Sequence, residues 1–154
     1  MAWTSTTAPF RHLEGGTPIV LSEEAENDSD KTLVVSSDVG QTVLLVTGIR
    51  IEYGASADVG TREMTMELLD SADDIVFSLN LNAATNVTAG STVVTELLPG
   101  SDEVAAIDGG AVRGYLPPHF WIGAGNKLRI YDRNAVAATA DDMVIHVRAM
   151  KHTY

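Results

Sequence analysis

The segment "DRNAVAATADDMVIHVRAM", residues 132–150, carries Asp132 and then, after a run of small residues, the adjacent pair Asp141 and Asp142. Carboxylates grouped in this way could do general acid–base chemistry or hold a cation. A catalytic pair must converge across a cleft at a set distance, whereas neighbours on a strand project to opposite faces. Asp141 and Asp142 directly precede the alternating run "MVIHVRAM" (143–150). The expectation is therefore a loop end and a strand entry, where Asp carboxylates accept backbone N–H bonds. "DSADD" (70–74) also concentrates carboxylates. It lacks the D-x-D-x-D-G spacing and the distal bidentate Glu of a tight Ca²⁺ loop, so a hairpin turn is expected.

The other chemistries lack their residues. His12, His119, His146 and His152 include no His-x-His pair, and a transition metal needs three or four converging ligands. His146 falls on the outward face of its run, and His152 reads as part of a tail. With no cysteine there is no thiolate nucleophile, thiolate metal site or disulfide. Neither a Gly-x-Ser-x-Gly elbow nor a phosphate-binding Gly-rich loop with its lysine occurs. The chain reads as not an enzyme, with no catalytic residue, metal or cofactor.

The elements that would position such groups show period two. Ile49, Ile51 and Tyr53 share one face of "TGIRIEY" (47–53), opposite Arg50 and Glu52. Met64, Met66 and Leu68 point inward from "TREMTMELLD" (61–70), with Glu63, Thr65 and Glu67 outward. Ile75, Phe77, Leu79 and Leu81 align in 74–82, Leu128 and Ile130 in 126–132, and Met143, Ile145 and Val147 in 143–150. Each reads as a half-buried strand. Less regular strands are expected in 32–36, 91–97 and 113–122, and 41–46 is apolar enough for burial on both sides. Gly, Pro, Asn and Asp fill the connectors, and 102–110 has room for one helical turn. The fold expected is all-β, an antiparallel β-sandwich or jelly roll of about eight strands with an extended N-terminal arm. Residues 1–31 form the arm with its acidic loop, and 32–154 the sandwich.

In "YLPPHFWIGAGNKLRI" (115–130), two prolines force the chain out of regular pairing. The aromatic residues after them read either as a core plug or as an exposed patch for a partner. Charge narrows the partners. Twenty-one acidic against ten basic side chains give a formal net charge of −11. That field repels a phosphate backbone and an anionic membrane surface, and no basic cluster offsets it. No stretch reaches the ~20 apolar residues of a membrane-spanning helix, and the N-terminus does not read as a secretory signal. Trp3 and Phe10 are isolated aromatics in the otherwise polar arm, where a frayed terminus and an arm ordered by a partner are both open.

"VTGIRIEYGASADVGTREMTMELLDSADDIVFSLN" and "LPPHFWIGAGNKLRIYDRNAVAATADDMVIHVRA" together resemble small jelly-roll virion proteins of tailed bacteriophages, over about residues 41–150. The resemblance is to capsid decoration (cement) proteins. It implies a structural virion protein on the capsid exterior, assembled in the bacterial host cytoplasm, that stabilises the shell by bridging neighbouring capsomers. The implied partners are the major capsid protein and further copies of the chain, a trimer favoured and a dimer possible, without nucleic acid or membrane. Trp3, Phe10, Arg11 and His12 are the implied contact residues. A tail or head-fibre module for receptor or glycan binding is the alternative, since similar sandwiches occur there.

Overall fold

Among the described residues, period-two alternation becomes eleven strands: β1 (Thr17–Glu23), β2 (Asp30–Val34), β3 (Thr42–Gly54), β4 (Met64–Leu69), β5 (Ile75–Asn80), β6 (Thr92–Pro99), β7 (Val104–Ile107), β8 (Ala111–Leu116), β9 (Trp121–Gly123), β10 (Lys127–Asp132) and β11 (Asp142–Thr153). The computed structural model describes residues 16–24, 28–35, 42–81, 87–101, 104–107, 111–137 and 139–153. Trp3, Phe10, Arg11 and His12 lie outside the described residues.

Two sheets pack face to face as a β-sandwich. The larger runs β1-β11-β3-β6-β8-β7, with β9 also paired to β3; the smaller runs β2-β10-β4-β5. Ile49, Ile51, Met143, Ile145 and Val147 of the first sheet meet Met64, Met66, Leu128 and Ile130 of the second in one core, each no more than 1% exposed. Burying an aliphatic side chain of this kind contributes about 1.5–3 kcal/mol, so this layer is the main source of stability. Part of the segment assigned to the arm belongs to the sheets: β1 pairs antiparallel with β11.

Long strands keep one face in the core only if their parity can be corrected. In β3 the inward set changes from Leu44 and Val46 to Ile49, Ile51 and Tyr53. Opposite them, Arg148 pairs with Gly48 and Ala149 with Val46, so Thr47 is the extra residue of a β-bulge. The Thr47 hydroxyl donates to the Arg148 carbonyl at 3.1 Å, satisfying an acceptor that the bulge disturbs.

Several expectations need correction. Residues 104–107, in the segment with room for one helical turn, form a strand on the edge of β8 instead; a single uncapped turn cannot offset the cost of helix nucleation. The β-sandwich stands as expected, with eleven strands among the described residues against about eight, and β6 with β8 forms a parallel pair within it. The run 41–46 is not buried on both sides. Thr42, Leu44 and Val46 are buried, while Val43 and Leu45 are half-buried. Thr65 and Glu67 keep the outward face that was expected but are only 6% and 5% exposed; Arg129 and Tyr131 of the neighbouring β10 reach across to Glu67. Ile75, expected inside, is 60% exposed. Leu68 pairs with Phe77 but Leu69 with Ile75, a register shift that turns Ile75 outward. His152 is not in a tail. It belongs to β11, is buried, and its ring lies 5.5 Å from that of Trp121.

Candidate functional site

The strongest concentration of chemistry-bearing groups lies at one end of the sandwich, where four strands terminate. Tyr53 closes the inward row of β3, and Asp132 ends β10 in the same register as Leu128 and Ile130. Arg62 precedes β4 in register with Met64 and Met66, and Asp141 precedes β11 in register with Met143. Asp132 pairs with Met64 and Met143 with Tyr53, which brings the four ends together. Each polar residue continues the core-facing row of its strand by one step of two.

Arg62 and Asp141 form a bidentate ion pair, with Nε to Oδ2 at 2.7 Å and Nη2 to Oδ1 at 3.0 Å, both side chains 0% exposed. The Tyr53 hydroxyl donates to Asp141 Oδ2 at 2.7 Å, and the Ser56 amide donates to Oδ1 at 2.7 Å. Arg62 also reaches its own loop: the Asp58 carbonyl at 3.1 Å, the Ser56 hydroxyl at 3.2 Å and the Gly60 carbonyl at 3.3 Å. Asp132 Oδ1 accepts the amides of Glu63 and Asn134 at 2.8 and 3.1 Å, and Oδ2 lies 3.4 Å from the Tyr53 hydroxyl. Loops 55–63 and 133–141 are thereby clasped together. At Gly60 the fit is tight: a Cβ there would stand 2.6 Å from Val136 Cγ1.

The electrostatics follow from desolvation. Burial is the largest influence on Asp141 and pushes its pKa up, but the bonds from Arg62, Tyr53 and Ser56 outweigh it and hold the carboxyl well below the usual range. Burial, then the bond to Asp141, pushes the Tyr53 hydroxyl far above its ordinary value. The bond to Asp141 keeps Arg62 charged against its own burial. Asp132 is 4% exposed and the other three 0%. No substrate reaches these groups without opening the loops, so the arrangement suits a lock, not catalysis.

The aspartates that opened the question divide accordingly. Asp141 ends the loop, as expected, with its amide donating to the Ala137 carbonyl at 2.7 Å, and Asp142 begins β11. The two do not converge; Asp141 meets Asp132 at Tyr53 instead. The partnership with Arg62, 79 residues away, had no local signal. "DSADD" is a turn, in which Asp70 Oδ1 accepts the amides of Ala72 and Asp74 at 2.8 and 3.0 Å.

A second charged array covers the outer face of the smaller sheet. Arg129 holds Asp30 at 2.5 Å and reaches Glu67 at 3.8 Å, while the Tyr131 hydroxyl donates to Glu67 at 2.8 Å. Lys127 pairs with Asp73 at 2.5 Å. The bond to Asp30, opposed by partial burial, raises the Arg129 pKa.

Among the described residues the histidines do not assemble. His146 accepts or donates with the Ser22 hydroxyl at 2.9 Å, and His119 sits exposed in the turn after Pro117-Pro118. Among the described residues no group of three or more His, Asp or Glu could hold a metal ion. The segment 115–122 divides between its two readings. Leu116, Phe120 and Ile122 plug the core, whereas Tyr115 is 44% and Trp121 36% exposed.

No protein-family model matches the chain, and no curated protein matches it by sequence. Among solved structures the chain is similar to several from infectious bursal disease virus. The VP2 subviral particle shares 13% identity at a TM-score of 0.38, over 86% of this chain and 33% of that one. The Gx strain structure shares 11% at 0.31, over 89% and 41%. The T13 viral particle shares 10% at 0.30, over 88% and 38%. This chain thus spans about a third to two fifths of the length of these viral proteins.

Proposed function

We propose that the chain is a structural, non-enzymatic virion protein that binds the outside of a phage capsid and stabilises it by bridging neighbouring capsomers. The observation that carries the structural part is the clasp: the best-formed charged constellation is spent on joining two loops and has no access to solvent. The virion part is supported by the sequence resemblance over residues 41–150. The net charge of −11 favours a particle exterior over contact with packaged DNA. In this reading residues 1–31 are an arm tied to the sandwich through β1, with Trp3, Phe10, Arg11 and His12 contacting the major capsid protein, and 32–154 are the body that carries it. Whatever binds only the assembled shell deepens that state by mass action.

The test is incubation with capsids stripped of accessory proteins, followed by resedimentation and thermal rupture. Saturable co-sedimentation with a raised rupture temperature, both lost on deleting residues 2–15, is the expected result. Absence of binding would sink the cement reading. The exposed Tyr115 and Trp121 favour a second reading, a receptor- or glycan-binding tail module; binding to host cells but not capsids would support it.

A further inference from the structure

Residues that pair directly across neighbouring strands share one face of a sheet. On the outer face of the larger sheet, Val20 pairs with Arg148 and Arg148 with Gly48. A Cβ on Gly48 would stand 3.0 Å from Arg148 Nη2 and 3.3 Å from Leu98 Cδ2, so the guanidinium lies across the glycine toward β6. Leu98 in turn pairs with Tyr115. The neighbouring row is Pro18, Met150, Leu45 and Trp121. Neither row contains a carboxylate, and Val20, Tyr115 and Trp121 are 63%, 44% and 36% exposed. At the β1 end, Pro18, Ile19, Val20, Ala149 and Met150 line with Arg148 a mainly apolar groove of about 290 Å³. Two cations of this face are unmatched among the described residues. Arg148 is exposed and forms no ion pair there. Arg113, two residues before Tyr115, forms none either, and its Nε is buried without a hydrogen-bond partner. Arg50, in the row beyond, is answered by its own sheet: it bonds Glu52 at 2.6 Å and stands 3.9 Å from Glu96.

We infer that this strip is where the body of the sandwich docks on the capsid protein, a surface assignment that rests on the capsid-binding reading proposed above. Its occupant is a segment of that protein carrying an aspartate or glutamate beside a bulky apolar side chain. The apolar group enters the groove and the carboxylate meets Arg148. Charge selects this occupant. The chain as a whole carries −11 and repels an acidic partner, whereas a strip with unmatched guanidiniums and no carboxylate reverses the sign locally. A basic partner would be drawn to the acidic remainder, and a phosphate polymer would run off the strip onto it. A sugar needs several polar groups placed around it. The groove offers only the Arg148 guanidinium and Thr47, whose hydroxyl already donates to the Arg148 carbonyl at 3.1 Å. Laid across Gly48, the guanidinium is placed before contact, so little freedom is lost when it pairs.

Capsids stripped of accessory proteins are the probe, and the full chain is titrated onto them in a sedimentation assay. Arg148→Glu and Val20→Glu alter exposed side chains, so both keep the fold, to be checked by melting temperature. Each should raise the dissociation constant about tenfold or more. Arg148→Lys, which keeps the charge but not the fork, should fall between Arg148→Glu and the unaltered chain. Arg133→Glu is the control: also exposed, in the loop after β10, it changes the net charge as much as Arg148→Glu and should leave binding near its unaltered strength. Binding that neither Arg148→Glu nor Val20→Glu weakens, or that Arg148→Glu and Arg133→Glu weaken equally, would overturn the docking surface and spare the capsid reading. Tighter binding by Arg148→Glu, the result expected if residues 1–15 of this chain occupied the strip, would overturn it as well. An unaltered chain that fails to sediment with capsids would sink both.

Discussion

The Arg62–Asp141 pair and the Arg129–Asp30 pair have nearly the same geometry, two guanidinium–carboxylate bonds each at 2.5–3.0 Å. Their surroundings differ. Both partners of the first are 0% exposed, whereas those of the second are 34% and 43% exposed. Distance therefore does not rank them; desolvation does. At the surface, water and salt screen the attraction, and such a pair contributes about 0–1 kcal/mol. In the interior the pair itself adds little net stability, because taking both ions out of water is expensive. Removing one partner, however, strands the other without water or counter-charge. The interior pair acts as a condition on folding, since loops 55–63 and 133–141 must come together for either charge to be satisfied. The surface array decorates a sheet that is already formed.

The sharpest way to break this comparison is Arg62→Met, which leaves Asp141 buried and unpaired. A loss of about 3–5 kcal/mol is expected, a fall in melting temperature of roughly 6–20 °C for a chain of this size. Thermal unfolding measures it, and a change as small as that of a surface pair would mean the loops open to admit water. Tyr53→Phe removes one donor to Asp141 and should cost about 1–3 kcal/mol, read from a shifted denaturant midpoint at constant m-value.

Acid sharpens the contrast further. Asp141 has a depressed folded pKa, so its contribution is complete above the unfolded value of about 4 and is lost as pH falls through the folded value. Tyr53 has a raised folded pKa; its contribution is complete below about pH 10 and is lost as pH rises through the folded value. Melting temperature against pH should fall on both sides of that window, and Tyr53→Phe should lose its share of the alkaline limb. The smallest effect belongs to Arg129→Ala, below about 1 kcal/mol and shrinking further in molar salt. The effect of Arg62→Met should be nearly independent of salt, a difference that parallel melts at two ionic strengths will show.

Much of the fold was legible because strand periodicity is local. Ile49, Ile51 and Tyr53, or Leu128 and Ile130, declare an inward face within a few residues, and Gly, Pro and Asp mark where each strand stops. The clasp was half legible. Tyr53, Arg62, Asp132 and Asp141 each extend an apolar inward row by two residues, and a polar side chain in that register needs a buried partner. Which partner it finds depends on which strand ends share one end of the sandwich, and strand order is not written in any one segment.

By itself the sequence determined the all-β class, the faces of the main strands, the turn at 70–74 and the acidic character, because each depends on nearest neighbours along the chain or on simple composition. Tertiary structure alone decided the pairing of Arg62 with Asp141, the burial of Glu67 and His152, the outward turn of Ile75 and the strand conformation of 104–107. For Arg62, Glu67 and His152 a neighbour distant in sequence supplies the partner or the cover, whereas for Ile75 and 104–107 the register in which adjacent strands pair decides, and that register is not written in the segment alone.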